Sequence, residues 1–371
     1  MRVLLCGGGT AGHVTPAIAI SEIIERRFKN VSIAFAGRID GEENKAYLRT
    51  GHPLYTIDIS GFSRSISIKN IKSLIKVLKS SRNAKKIIND FEPDLIIGTG
   101  GYVCFPFIRQ GQKMNIKTVM HESNVYPGLV TRLLGKNCNA VMLSSEGTKD
   151  YLKSIKNTVT VGNPVRQDFA SIGKNEARKK LNIKPQELLI VSFGGSLGSP
   201  AMNTCIGTMI RDHTSKMNNI VHIHATGSSN YEKMKAEYPS LFKNNRNVII
   251  TPYIDDMPTV LSAADIAITR SGAMTISELA RSETPAILIP SPNVVSNHQL
   301  KNAEYMKTLG AAELIEEKNL SPEVLTKLML DIISSSEKMN KMINALRILS
   351  HKNTEEMVYK SLKETMRYKQ C

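Results

Sequence analysis

Two stretches decide the fold: Val3-Leu4-Leu5-Cys6-Gly7-Gly8-Gly9-Thr10-Ala11-Gly12-His13 near the start, and Leu188-Leu189-Ile190-Val191-Ser192-Phe193-Gly194-Gly195-Ser196-Leu197-Gly198 past the middle. Each is a short apolar, β-branched run that breaks into glycines. This is how a buried parallel strand enters a tight turn before a helix. Outward from them, the spacing predicts strands at Val3–Cys6, Val31–Ala36, Asp94–Ile97, Lys117–Met120, Ala140–Leu143 and Thr158–Val161. A second series follows at Leu188–Phe193, Ile220–Ala225, Val248–Thr251, Ile266–Thr269 and Ala286–Ile289. Helix-period segments separate them, the alternation of doubly wound α/β sheets. The series are split at Gly162-Asn163-Pro164-Val165-Arg166, and a polar helical stretch, Asn175–Leu181, opens the second. The pattern predicts two Rossmann-like domains, 1–165 and 166–347, with a helix from about 348 to 371 packing back on the first. From Ser321 onward the pattern is helical only.

The chain has 371 residues, 41% hydrophobic and 22% charged, enough for a sizeable core, so wholesale disorder is excluded. Five cysteines at 6, 104, 138, 205 and 371 lack CxxC spacing and read as reduced thiols. The N-terminus has no room for a signal peptide's apolar region, and no run approaches the roughly 18 apolar residues of a membrane span. Lys and Arg number 49 against 33 Asp and Glu, a formal net charge of +16, which asks for an acidic partner. Between Ser60 and Asn89 stand eight basic residues and no acidic one. There Ile71, Leu74, Ile75 and Leu78 fall at helical spacing, flanked by Lys69, Lys72, Lys76 and Lys79. An amphipathic basic helix of this kind suits an anionic membrane surface, and its lack of interleaved aromatics speaks against nucleic acid. The plainer alternative is a helix that covers the sheet with its lysines in water.

Several candidates carry chemistry. The Gly7–Gly12 turn lets backbone approach a ligand, and the following helix start, with Pro16 in its first turn, favours an anion. It satisfies GxGxxG, yet the second strand ends Gly37-Arg38 without the acidic residue a dinucleotide site wants. His13 after the glycines is the first candidate base. His121-Glu122-Ser123-Asn124, at the carboxyl end of a strand, reads as a binding loop, with Glu122 a second candidate base. Gly194–Ser199 repeats the phosphate-cradle pattern. Arg270-Ser271-Gly272-Ala273-Met274-Thr275-Ile276-Ser277-Glu278 is another strand-to-helix passage, in which Glu278 either takes ribose hydroxyls or serves as a first-turn acid. Pro290–Gln299 adds a polar loop with His298 and Gln299 at its mouth. No Asp-x-Asp is present, and His222-x-His224 lacks acidic or cysteine company, so a metal-independent site without cofactor is expected.

The ordered set of these motifs, from Gly8-Gly9-Thr10-Ala11-Gly12-His13 to the His298-Gln299 loop, resembles the MurG family, the bacterial glycosyltransferases that complete the lipid-linked peptidoglycan precursor. The resemblance implies a GT-B fold, two Rossmann-like domains facing across a cleft. It also implies inverting transfer from UDP-N-acetylglucosamine to the 4-hydroxyl of undecaprenyl-diphosphate-linked N-acetylmuramoyl-pentapeptide, at the cytoplasmic membrane face. Carried over, Thr10, Ala11, Gly12 and Asn124 are donor contacts of the first domain, and Arg166 and Ser196 lie near the sugar or diphosphate. Ile254 reads the uracil through its backbone, Ala273 to Glu278 form the nucleotide turn with Glu278 on the ribose, and Gln299 takes the sugar hydroxyls. The chain departs from the family pattern at Ala11, where glycine is usual, and at Ser123, where glutamine is. Competing readings are another GT-B UDP-sugar enzyme such as a 2-epimerase, an NADP-dependent oxidoreductase, and a basic RNA-binding protein.

Overall fold

The computed structural model describes residues 1–9, 11–39, 41, 44–59, 68–165, 169, 172–195, 197–243, 245–294, 297–350 and 353–367; of residue 11 and residues 68–78 only the backbone is described. The chain divides into two compact units, residues 1–165 with 351–371, and residues 166–350.

In the first unit the order is β1 (Arg2–Cys6), α1 (Ala11–Arg27), β2 (Ser32–Arg38), α2 (Asn44–Leu48), β3 (Leu54–Ile57), α3 (Ile68–Phe91) and β4 (Leu95–Gly98). There follow α4 (Cys104–Lys113), β5 (Lys117–Glu122), α5 (Leu129–Leu134), β6 (Ala140–Leu143) and β7 (Thr158–Thr160). The strands form one parallel sheet in the order β3-β2-β1-β4-β5-β6-β7. Val3, Leu5, Ile33, Phe35 and Ile97 pack one face against Ile20 and Ile24 of α1. Leu4, Ala34 and Ile96 pack the other against Ala84 and Ile88 of α3 and Phe107 of α4.

The second unit repeats the plan: α6 (Lys174–Lys180), β8 (Leu188–Phe193), α7 (Pro200–Asp212), β9 (Ile220–Ala225), α8 (Tyr231–Glu237), β10 (Val248–Thr251) and α9 (Met257–Ala263). It continues through β11 (Ile266–Thr269), α10 (Ala273–Ser282), β12 (Ala286–Leu288), α11 (His298–Thr308), β13 (Ala312–Leu314), α12 (Pro322–Ile333) and α13 (Ser336–Leu349). Its sheet runs β10-β9-β8-β11-β12-β13. In both sheets the first strand of the unit is central and the chain reverses its direction of travel beside it. The resulting switch points lie between β1 and β4 and between β8 and β11, and open α/β sheets bind ligands at the carboxyl ends of such strand pairs.

The last helix, α14 (Thr354–Arg367), belongs to the first unit. Val358 and Leu362 are buried against its core, Arg27 bonds Glu356 at 2.6 Å, and Phe28 meets the Tyr359 ring edge-on at 5.1 Å. The crossover begins after Ser350 rather than near 348 because α13 runs to Leu349, with Leu346 in the core of the second unit and Arg347 bonded to Glu283.

Two sheet-edge strands, β3 and β13, were not expected from the sequence. Helix α1 begins at Ala11, so Gly12 and His13 are in its first turn and Pro16 in its second, where it has no N–H to give the Gly12 carbonyl. His121 and Glu122 are the last residues of β5, not loop residues. Glu278 stands in the second turn of α10, which removes its reading as a first-turn acid.

Candidate active site

At the first switch point the loop after β1 meets the loop after β4, and His13 is held between them. His13 Nδ1 lies 3.1 Å from the Gly8 carbonyl, which can only accept. Nδ1 therefore carries a proton in this contact, which in the neutral ring puts the lone pair on Nε2. Thr99 Oγ1 donates to the His13 carbonyl at 2.7 Å, and Tyr47 donates its hydroxyl to the Gly7 carbonyl at 3.1 Å. Gly100 and Gly101 have φ of +116° and +80°. A Cβ on Gly100 would stand 2.4 Å from His13 Cδ2, and one on Gly101 2.1 Å from the Gly8 oxygen. Both positions thus need glycine twice over, for conformation and for the space the imidazole and its carbonyl partner occupy. Beneath them Cys104 Sγ lies 2.9 Å from the Cys6 and Gly100 carbonyls. Burial and that neighbouring thiol push Cys6 well above the ordinary thiol range, so it stays a neutral packing group.

Next along the sheet, His121 is fully buried and gives Nε2–H to the Gly162 carbonyl at 3.1 Å. Burial lowers its pKa, which makes it a neutral brace for the Gly162 turn. Glu122, also buried, accepts four bonds from its own loop and the start of α5: Asn124 N at 3.1 Å, Asn124 Nδ2 at 3.3 Å, Gly128 N at 2.8 Å and Thr131 Oγ1 at 2.7 Å. Of the other residues expected here, Gly12 lies in the first turn of α1, while Thr10 and the Ala11 side chain lie outside the described residues.

At the second switch point the loop after β8 turns on Gly195 and Gly198, both at positive φ, and a Cβ on Gly198 would meet the Thr226 carbonyl at 2.0 Å. Ser199 caps α7 by accepting from Met202 N, and Arg270 Nη2 donates to Ser199 Oγ at 2.6 Å. The same guanidinium holds the Ile289 carbonyl at 3.0 Å and pairs with Glu317, so one cation ties together the carboxyl ends of β8, β11, β12 and β13. The helix start that results lies at the carboxyl end of β8 with Pro200 in its first turn, and its dipole favours an anion there. Ala273 and Met274 are buried in the first turn of α10, with Thr275, Ile276, Ser277 and Glu278 partly exposed after them. Ser271 Oγ donates to the Gln299 carbonyl at 2.8 Å, stitching the α10 start to that of α11. Gln299 Oε1 accepts from Ser291 N at 2.8 Å, so its amide nitrogen is the end of the side chain that can donate to a hydroxyl. The Ile254 side chain is buried in the core, so at that position a ligand could meet only the backbone. Arg166 and Ser196 lie outside the described residues.

His222 and His224 are buried on β9 around Ser192, 2.8 Å from each ring. Among the described residues no group of three or more His, Cys, Asp or Glu is arranged to hold a metal ion. No described helix is long and apolar enough to cross a membrane. The basic segment is helical from Ile68, and Lys79, Lys85 and Lys86 are exposed while Ala84, Ile88 and Phe91 are buried. The side chains of Lys69, Ile71, Lys72, Leu74, Ile75, Lys76 and Leu78 lie outside the described residues.

Known proteins with this arrangement settle the family. Residues 3–143 match the Glycosyltransferase family 28 N-terminal domain, and residues 189–358 match the Glycosyltransferase family 28 C-terminal domain. A relative from Acetivibrio thermocellus is named UDP-N-acetylglucosamine--N-acetylmuramyl-(pentapeptide) pyrophosphoryl-undecaprenol N-acetylglucosamine transferase; it is 35% identical over 369 residues, covering 100% of this chain and 99% of that one. One of the same name from Carboxydothermus hydrogenoformans is 38% identical over 360 residues, 96% of each chain. The chain belongs to the MurG family. The crystal structure of Acinetobacter baumannii MurG shares the fold, with a TM-score of 0.76 at 24% identity over 98% of this chain and 99% of that one.

Two pieces of this MurG-family chain's candidate site stand outside the contacts that the sequence motifs imply. One is Thr99-Gly100-Gly101, which seats His13. Its signal was available, because the strand ending at Ile97 also runs into glycines. The other is the role of Arg270, a residue quoted only as part of its motif; four strand ends converge on it, and no local pattern announces that.

Proposed function

We propose that this chain is an inverting, metal-independent glycosyltransferase. It moves N-acetylglucosamine from UDP-N-acetylglucosamine to the 4-hydroxyl of undecaprenyl-diphosphate-linked N-acetylmuramoyl-pentapeptide. The observation that carries the reading is the end-to-end kinship at 35 to 38% identity with enzymes named for this transfer. In this reading the first unit takes the lipid-linked acceptor and the second the UDP-sugar. His13 Nε2 accepts the proton of the 4-hydroxyl as its oxygen attacks C1 of the sugar. The C1–O bond to the diphosphate breaks, the β-1,4 bond forms, and UDP leaves with the bonding pair. Charge growing on the diphosphate meets the start of α7, its Gly194–Gly198 turn and Arg166. Glu278 takes the ribose, the backbone at Ile254 the uracil, Gln299 the sugar hydroxyls, and Thr10, Ala11, Gly12 and Asn124 complete the donor contacts from the first unit.

The test is transfer of labelled N-acetylglucosamine to a lipid-linked muramoyl-pentapeptide analogue, with and without added metal. Transfer in both conditions is expected, and no transfer in either overturns the proposal. Conversion of UDP-N-acetylglucosamine to its 2-epimer without acceptor would instead establish the epimerase reading.

Attachment to the anionic cytoplasmic face of the membrane is assigned to α3, whose lysines would contribute on the order of 1 kcal/mol each. Leu74→Glu with Ile75→Glu is expected to lower binding to vesicles containing anionic lipid at least fivefold and to impair long-chain acceptors, with UDP affinity nearly unchanged. Unaltered vesicle binding by the folded double variant would return α3 to a sheet cover.

A further inference from the structure

We propose that Glu122 is a positioning residue that holds the Asn124–Gly128 loop in its sugar-binding form and exchanges no proton with substrate. The inference rests on the proposed function through Asn124 as a donor contact. A general base must present a lone pair to its substrate, and the Glu122 carboxylate has committed its in-plane lone pairs. Oε1 accepts from both the backbone and the side-chain nitrogen of Asn124, at 3.1 and 3.3 Å, and Oε2 accepts from Gly128 N at 2.8 Å and Thr131 Oγ1 at 2.7 Å.

All four donors lie within residues 124–131, the chain that leaves β5 and starts α5. Gly128 is the residue before α5, and its lack of a side chain leaves that helix start without a cap of its own. Glu122 supplies the acceptor from the end of the strand. Its other oxygen turns the Asn124 amide by gripping Nδ2, which fixes the direction in which Oδ1 points. Further bonds fasten the same turn. Thr148 Oγ1 donates to the Asn124 carbonyl at 3.2 Å, while Ser144 Oγ and Asn163 Nδ2 donate to the Ser123 carbonyl at 2.9 and 3.1 Å. The carboxylate is thus the hub through which a rigid strand sets a ligand-facing amide, as second-layer groups orient those that touch substrate.

Glu122→Gln keeps one carbonyl acceptor but places an NH2 against Gly128 N–H, where two donors face each other. Thr131→Val removes one donor and leaves Glu122 and the backbone untouched. The full chain is assayed with UDP-N-acetylglucosamine and a lipid-linked acceptor analogue, alongside Asn124→Ala. Expected for Glu122→Gln is a rise of about tenfold in the KM for the UDP-sugar with kcat within about threefold, and a kcat–pH profile of unchanged shape. Thr131→Val should show the same split at about threefold, and Glu122→Gln should add little to Asn124→Ala, since both act through one amide. A loss of kcat of a hundredfold or more at unchanged KM, with the acidic limb of the profile gone, would make Glu122 the base and overturn the proposal. So would Thr131→Val and Glu122→Gln both leaving KM unmoved while Asn124→Ala raises it. Failure of the parent reading shows separately, as absence of transfer by the unaltered chain.

Discussion

Gly100→Ala is expected to lower kcat/KM for sugar transfer by about a hundredfold, roughly 2.7 kcal/mol in the barrier, while UDP affinity stays within about twofold. The new methyl would stand 2.4 Å from His13 Cδ2 and 2.9 Å from Nε2, so the imidazole must leave its seat. An L-residue at φ +116° also adds about 1–3 kcal/mol of backbone strain, which favours movement of the loop over compression of the ring. Moving the ring breaks the Nδ1–H bond to Gly8, and with it the orientation and tautomer that this bond holds. A displacement of about 1 Å in a catalytic group is enough for a loss of this size. His13→Ala should lose at least as much, and the double variant no more than His13→Ala alone, because the glycine acts only through the ring. Retention of activity within about tenfold in His13→Ala, only ~1.4 kcal/mol, would show that His13 is not the essential base. A double variant much worse than His13→Ala would give Gly100 a role of its own.

The two sheets were legible because parallel strands buried on both faces are written as short continuous apolar runs, and each central strand announces its turn with glycines. The edge strands were not. Leu54 and Tyr55 of β3 are half-buried and Thr56 is exposed, and β13 is Ala-Glu-Leu, so neither carries a continuous apolar signature. His121 and Glu122 were placed in a loop for the opposite reason, since two polar residues in succession rarely end a buried strand. They are tolerated there because Gly162, Gly128 and Thr131 satisfy them, and those partners lie 6 to 41 residues away. The seat of His13 shows the same limit. The glycines at 100 and 101 can be seen in the sequence, but their necessity comes from a ring contributed by the helix after β1, 87 residues upstream of Gly100. Motif spacing finds groups that face a ligand, and it passes over groups that face one another.

The second large effect is loss of stability in mild acid. His224 Nδ1 lies 3.2 Å from the Ser192 carbonyl and must donate to it; its Nε2 is buried with no hydrogen-bond partner among the described residues. Ser192 Oγ, accepting from His224 Nδ1, gives its proton to His222 Nε2, and His222 Nδ1–H reaches Thr214 Oγ1 at 3.3 Å. Every proton in this chain is placed with both rings neutral. A second proton on either ring would be a buried charge without a counter-ion. Burial pushes His222 down to about 3, helped by the charge of His224, and His224 down to about 4. In the unfolded chain both titrate near 6.5. The unfolded state therefore binds more protons between those limits, and stability present above about pH 6.5 is lost as pH falls toward 4 and then 3. Between pH 7 and pH 5 the pair should cost roughly 4 kcal/mol, about 10 °C in the unfolding midpoint for a unit of this size. Thermal unfolding of the full chain at the two pH values, with amide exchange followed across residues 188–225, measures it. His222→Gln with His224→Asn has nothing to titrate there. Whatever its stability at pH 7, its loss between pH 7 and pH 5 should be smaller than that of the unaltered chain by about the same 4 kcal/mol. Parallel pH dependence in the two proteins would mean that these imidazoles are not what makes the second sheet sensitive to acid.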